Sequence, residues 1–121
     1  MNNETLKIKD EAIMTITRNF RETIMKRAEK DASFRRELLI EAVNELLAGS
    51  LDAGKAILRD YINATITFEG LAKKTGRPAK SLHRMLGPSG NPRADNILEI
   101  IKTLQAHEQI TLKVKAARDA A

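Results

Sequence analysis

With 121 residues and a hydrophobic fraction of 42%, the chain is long enough for one domain with a real core plus an appended element. Aromatic residues make up only 3% and cysteine is absent, so the core must be aliphatic, which favours helix packing; disulfides, thiolate metal sites and a thiol nucleophile are excluded. The net charge is +5, no apolar run approaches the ~20 residues of a membrane span, and the Met-Asn-Asn-Glu start is no signal peptide; a soluble, cytoplasmic protein without membrane contact is expected.

Residues 1–9 are polar. From Asp10 to Lys30, Ile13, Ile16, Phe20 and Ile24 recur at spacings of three and four, a narrow apolar stripe on an otherwise charged helix. Residues 1–30 are thus expected to be a helical extension, packed on the chain's own domain or serving as an interaction seam. Asp31 or Ser33 caps the next helix, Phe34–Ala48, with Phe34, Leu38, Leu39, Ala42, Val43, Leu46 and Leu47 inward. Gly49-Ser50 ends it, and a helix over Leu51–Ala64 follows with Ala53, Ile57, Leu58 and Tyr61 inward.

Two short helices come next. Thr67 caps Phe68–Thr75, and Gly76 closes it in the left-handed conformation that glycine tolerates. Gly70 lies inside this helix, where it costs about 1 kcal/mol relative to alanine. Pro78 suits the first turn of the second helix, which runs to Leu86. Gly87-Pro88-Ser89-Gly90-Asn91-Pro92 is a loop. A last helix, Ala94–Ala106, buries Ile97, Leu98, Ile101 and Leu104. Ile110 to Val114 alternates apolar and polar residues and is expected to be one short β-strand, and 115–121 a flexible tail.

Leu71-Ala72, Gly76 and Leu82 have the spacing of a helix-turn-helix spanning 67–86, within a domain of residues 31–114. Two short helices that cross steeply need a small residue at the crossing, here Ala72, and a glycine at the turn. Leu71, Leu82 and Leu86 then face the core, and the second helix turns its first turns outward. The charge agrees with this placement. Residues 1–66 hold eleven Lys/Arg and eleven Asp/Glu, and 94–121 hold four of each. Residues 67–93 hold six cations (Lys73, Lys74, Arg77, Lys80, Arg84, Arg93) against Glu69 alone, which is the whole excess of five. A localised positive face is the electrostatic footprint of a phosphate-binding surface.

On that geometry the base-reading candidates are Arg77, Ala79, Lys80, Ser81, His83 and Arg84. Lys80 and Arg84 lie four apart on one face, and the Arg84 fork matches the O6 and N7 acceptors of guanine. Ala79 suits a thymine methyl. Thr67, Lys74, Asn91 and Arg93 are the candidates for gripping the phosphate backbone of double-stranded DNA. Gly87-Pro88-Ser89-Gly90 has the outline of the GxxG clamp of RNA-binding KH domains, but the strands of that fold are missing. The same loop lacks the Gly-Lys-Ser/Thr ending of a P-loop. His83 and His107 stand outside zinc-ligand spacing, and no Ser, His and acid share a site, so no metal, cofactor or enzymatic activity is expected.

Thr-Phe-Glu-Gly-Leu-Ala-Lys-Lys-Thr-Gly at 67–76, Ser-Leu-His-Arg-Met-Leu at 81–86 and Gly-Asn-Pro at 90–92 resemble the lambda-repressor-like helix-turn-helix. More narrowly they are similar to the antitoxins of addiction modules, the antidote or DNA-binding prophage proteins. The likeness takes in the helices from Asp31 to Ala64 and the closing strand, and leaves out the first thirty residues. Pro78 stands where that family often has Ser or Thr as the cap, a departure on which the start of the reading helix and the register of every base contact depend. The resemblance implies an all-α bundle with an extra N-terminal helix and one short C-terminal strand. It also implies a homodimer that represses its own operon and neutralises a toxin protein. A regulator of prophage type without a toxin, or a helical protein-interaction domain, are the alternatives.

Overall fold

The computed structural model describes residues 19–119. Its described residues are helical wherever they are regular, and the chain divides at Thr67 into two compact units, Met1–Thr67 and Phe68–Ala121. The expected stretch Asp10–Arg18, with Ile13 and Ile16, lies outside the described residues. Among those described, no helix is long and apolar enough to cross a membrane.

The first unit contains α1 (residues 19–30), α2 (Ala32–Leu47) and α3 (Leu51–Ala64). Asp31 makes the corner between α1 and α2. Its Oδ1 accepts from the Phe34 N–H at 3.1 Å, the N-cap bond that satisfies an orphan amide of the first turn. That bond, foremost, and the nearby Arg27 charge hold the Asp31 carboxyl below its ordinary value. From the other side, Arg35 Nη1 donates to the Ala28 carbonyl at 2.9 Å, closing the end of α1. Arg27 lies over the Phe34 ring, 4.5 Å from its centre.

The α2–α3 turn is a Schellman motif. Ser50 N–H reaches the Glu45 carbonyl at 2.9 Å and Gly49 N–H the Leu46 carbonyl at 3.1 Å, with Gly49 at φ +85°. The helices then pack closely at Gly54, where a Cβ would lie 2.6 Å from Leu46 Cδ2. Leu39, Ala42, Leu58, Tyr61 and Ile62 are fully buried. Two sequence expectations fail here. Leu47, the last residue of α2, is 65% exposed, and Ala53 faces solvent. The inner face of α3 is Gly54, Leu58, Tyr61 and Ile62, rotated by one residue to bring the glycine against α2.

The second unit begins within α4 (Thr67–Thr75) and continues through α5 (Ala79–Met85) and α6 (Ala94–Glu108). Phe68, Leu71, Leu82, Leu86, Ile100 and Leu104 form its core, all at most 2% exposed. Gly76 adopts φ +73° after α4, as the turn requires. Pro78 is the N-cap of α5 and not part of its first turn; its carbonyl accepts from Leu82 N–H at 3.2 Å. Helix α6 runs two residues past the expected Ala106 and buries Ile100 and Leu104, while Leu98, expected inside, is 61% exposed. At 1.5 Å and 100° per residue the buried stripe of α6 passes through 97, 100, 101, 104 and 108, which leaves 98 on the outer side.

Residues 110–119 carry no regular secondary structure, so the expected strand at 110–114 is not formed. A strand exists only in a ladder, and the described residues offer no second one. The segment is nonetheless anchored. Gln109 takes the left-handed conformation (φ +59°), and Ile110 N–H returns to the Gln105 carbonyl at 3.0 Å.

Candidate nucleic-acid interface

The turn between α4 and α5 fixes the direction of α5 through a short set of bonds. Thr75 Oγ1 donates to the Leu71 carbonyl at 2.9 Å and accepts from the Arg77 N–H at 3.3 Å, closing α4 over the turn. Arg77 then reaches α6. Its Nε and Nη2 meet the two carboxylate oxygens of Glu99 at 3.4 and 3.1 Å, and Nη2 also donates to Asn96 Oδ1 at 2.8 Å. This is a bidentate fork with a third bond, the strong form of an arginine–carboxylate contact. The Glu99 hydrogen bond and charge push the Arg77 pKa further up. Arg77, one of the six base-reading candidates, thus has its guanidinium engaged inside the unit and clamps the turn to α6.

A second contact joins α4 to α5. The His83 ring stacks on Phe68, with centroids 3.7 Å apart and planes 20° from parallel. Phe68 is buried and His83 lies outside it, so the imidazole covers the core ring from the solvent side.

The remaining candidates separate by position. Lys80 and Arg84 are exposed on α5, four apart, and Ala79 and Ser81 are half-buried beside them. Among the described residues none of Lys73, Lys74, Lys80 and Arg84 forms an ion pair. Ser81, Arg84, Asn91 and Arg93 line one groove of about 450 Å³, between α5, the 87–92 loop and the start of α6. Two base-reading and two phosphate candidates therefore meet in one place. Arg93 holds Asp95 in an exposed ion pair at 3.3 Å, a contact that solvent screens and an incoming anion can exchange.

The loop wall of this groove is set by Gly90. A Cβ there would run into the Arg84 and Met85 carbonyl oxygens, the latter at 2.5 Å. The loop therefore lies directly on the backbone at the end of α5, and Gly90 N–H closes a turn onto the Gly87 carbonyl at 3.0 Å. Lys74 is elsewhere. It lines a separate groove of about 570 Å³ with Glu99, Lys102 and His107 near the end of α6. Thr67 sits at the boundary of the two units with φ +68°, a strained conformation for a β-branched residue.

Sequence reasoning missed the Arg77–Glu99–Asn96 clamp and the Phe68–His83 stack. Asn96 and Glu99 stand three apart, hence on one face of a helix, which is the signal that a cation from elsewhere would be held there. No family model, no curated protein and no solved structure matches this chain.

Proposed function

We propose that this protein is a sequence-specific DNA-binding regulator that lays α5 in the major groove as the second helix of a helix-turn-helix. The observation that carries this reading is the coincidence of position and charge. The five-charge excess of the chain falls in residues 67–93, which contain α4, α5 and the loop after them. Exposed cations without ion-pair partners point outward from a helix whose other side is fixed by Leu82, Leu86 and the stacked His83.

On this reading Lys80 and Arg84 read base edges, Ala79 and Ser81 shape the contact, and Asn91 and Arg93 grip the phosphate backbone beside Arg84. Arg77 positions the turn and does not touch a base. Because Lys and Arg side chains that neutralise phosphates release condensed counterions, affinity must fall with salt. The test is fluorescence anisotropy of the full chain with a duplex covering the region upstream of its own gene. A steep negative slope of log affinity against log salt, with preference over scrambled duplex, supports the proposal; salt-independent affinity removes it.

The family likeness described above adds a second proposed role, binding and neutralising a toxin protein while repressing the shared operon. A neighbouring small open reading frame that is toxic alone and harmless when co-expressed supports that role. An unrelated neighbour leaves a regulator without a toxin.

A further inference from the structure

We propose that residues 110–114 are a dimerisation strand, pairing antiparallel with the same residues of a second copy about a two-fold axis at Leu112.

In an extended chain successive N–H groups point to opposite edges. Ile110 N–H donates to the Gln105 carbonyl at 3.0 Å, and Leu112 N–H donates to Gln105 Oε1 at 2.7 Å. The even-numbered residues thus turn one edge of the segment toward their own α6. The amides of Thr111 and Lys113 belong to the opposite edge, and among the described residues they donate to nothing. A segment with one edge taken and the other open is a template for another chain.

The register follows from charge. The open edge consists of odd-numbered residues, so odd must face odd. Pairing Lys113 with its own copy, or with Lys115, sets like charges directly across the ladder, which is destabilising. Pairing Thr111 with Thr111 sets Val114 across from Glu108, which lies within α6 and has no place in a strand. Pairing Thr111 with Lys113 has neither fault. Leu112 then faces Leu112 in a non-hydrogen-bonded pair, and Ile110 faces Val114 twice. Val114, 82% exposed in the single chain, comes to lie against a half-buried isoleucine. A two-stranded ribbon alone is marginal in water, but each strand here is already tied to a helix by Gln105. The self-complementary register is what selects a second copy of this chain as the occupant.

The chain has no cysteine, which permits a clean test on the full-length protein. By sedimentation the wild type should run at twice 13.5 kDa at micromolar concentration. Lys113→Pro removes one ladder donor per strand and should weaken the dimer by about thirty-fold, while Lys113→Ala should not. Residue 113 is outside every helix, so an unchanged far-ultraviolet dichroism separates lost pairing from lost fold. Leu112→Cys should crosslink on mild oxidation, because facing Cα atoms of such a pair lie about 4.5 Å apart. Val114→Cys should not, since the two copies would be ~14 Å apart. A monomeric wild type, a Lys113→Pro variant that stays dimeric, or equal crosslinking at 112 and 114 overturns the proposal. The readouts are mass and crosslinking, so they are decided independently of DNA binding.

Discussion

The two compact units differ in their balance of charge. Through Thr67 the charges balance, eleven against eleven; Arg21 pairs with Asp60, Arg27 with Asp31 and Phe34, and Arg35 closes α1, while Lys26, Lys30 and Arg36 form no ion pair among the described residues. From Phe68 onward there are ten cations and five carboxylates; the half-buried Arg77 is held by Glu99 and Asn96, while Lys73, Lys74, Lys80 and Arg84 form no ion pair among the described residues. The lesson is that composition alone does not mark a binding surface. On the proposed function, what marks it is the local excess of such cations over carboxylates in residues 67–93.

The largest effect that bears on this contrast comes from a glycine in each unit. Gly90→Ala should destabilise the protein by about 2–3 kcal/mol in urea titration, because the obstructing atoms are backbone carbonyls that cannot turn aside. Gly54→Ala meets Leu46 Cδ2 and Cγ, which must move, and lies 3.3 Å from the Ala42 carbonyl; the helix-propensity gain of about 1 kcal/mol offsets part of this, so the loss should be smaller than at Gly90. Equal losses at the two sites would show that loop and helix pair tolerate crowding alike.

Next in size are the cations themselves. Arg84→Ala should cost about 1–3 kcal/mol of affinity for cognate duplex with no change in Tm. Arg77→Lys should do the reverse in kind: it loses the fork to Glu99 and lowers Tm, and DNA affinity falls only with the fold. If Arg77→Lys changed base preference at unchanged Tm, the clamp would be a reader after all.

The smallest effect distinguishes two carboxylates of the first unit. The Asp31 pKa is depressed from 3.8, chiefly by the Phe34 N–H, so its stabilisation is present above 3.8 and is lost as pH falls below it. The Asp60 pKa is raised from 3.8 by burial, against the pull of Arg21 and Arg59, so its contribution is greatest below 3.8 and is lost as pH rises through the folded value. Asp31→Asn should therefore lower Tm at pH 7 and converge on wild type in acid. Asp60→Asn should raise Tm at pH 7 and lose that advantage in acid. A shift of the same sign in both would mean that Arg21 outweighs burial at Asp60.

Local signals carried much of this fold in the sequence. Gly76, like Gly49, announces its turn because the backbone there takes a positive φ, and Leu71, Leu82 and Leu86 declare a core face by their spacing. The long-range choices were hidden. Nothing near Arg77 in sequence names Glu99 as its partner, and Leu98 reads as core until the axis of α6 is fixed by Ile100 and Leu104. The alternation at 110–114 was legible as a pattern but not as a strand, because a ladder depends on a partner and not on the segment itself.

The clamp at Arg77 has one more consequence, for protein engineering. Folding of the second unit rests on Phe68 and Leu82, on the Arg77 clamp and on the close fit of Gly90 to the Arg84 and Met85 carbonyls, none of which uses the side chains at the exposed positions 80 and 84. Those two side chains can therefore be varied together in a library, proline excepted, with little selection against stability, so that on the proposed function sequence preference and foldability become independently adjustable.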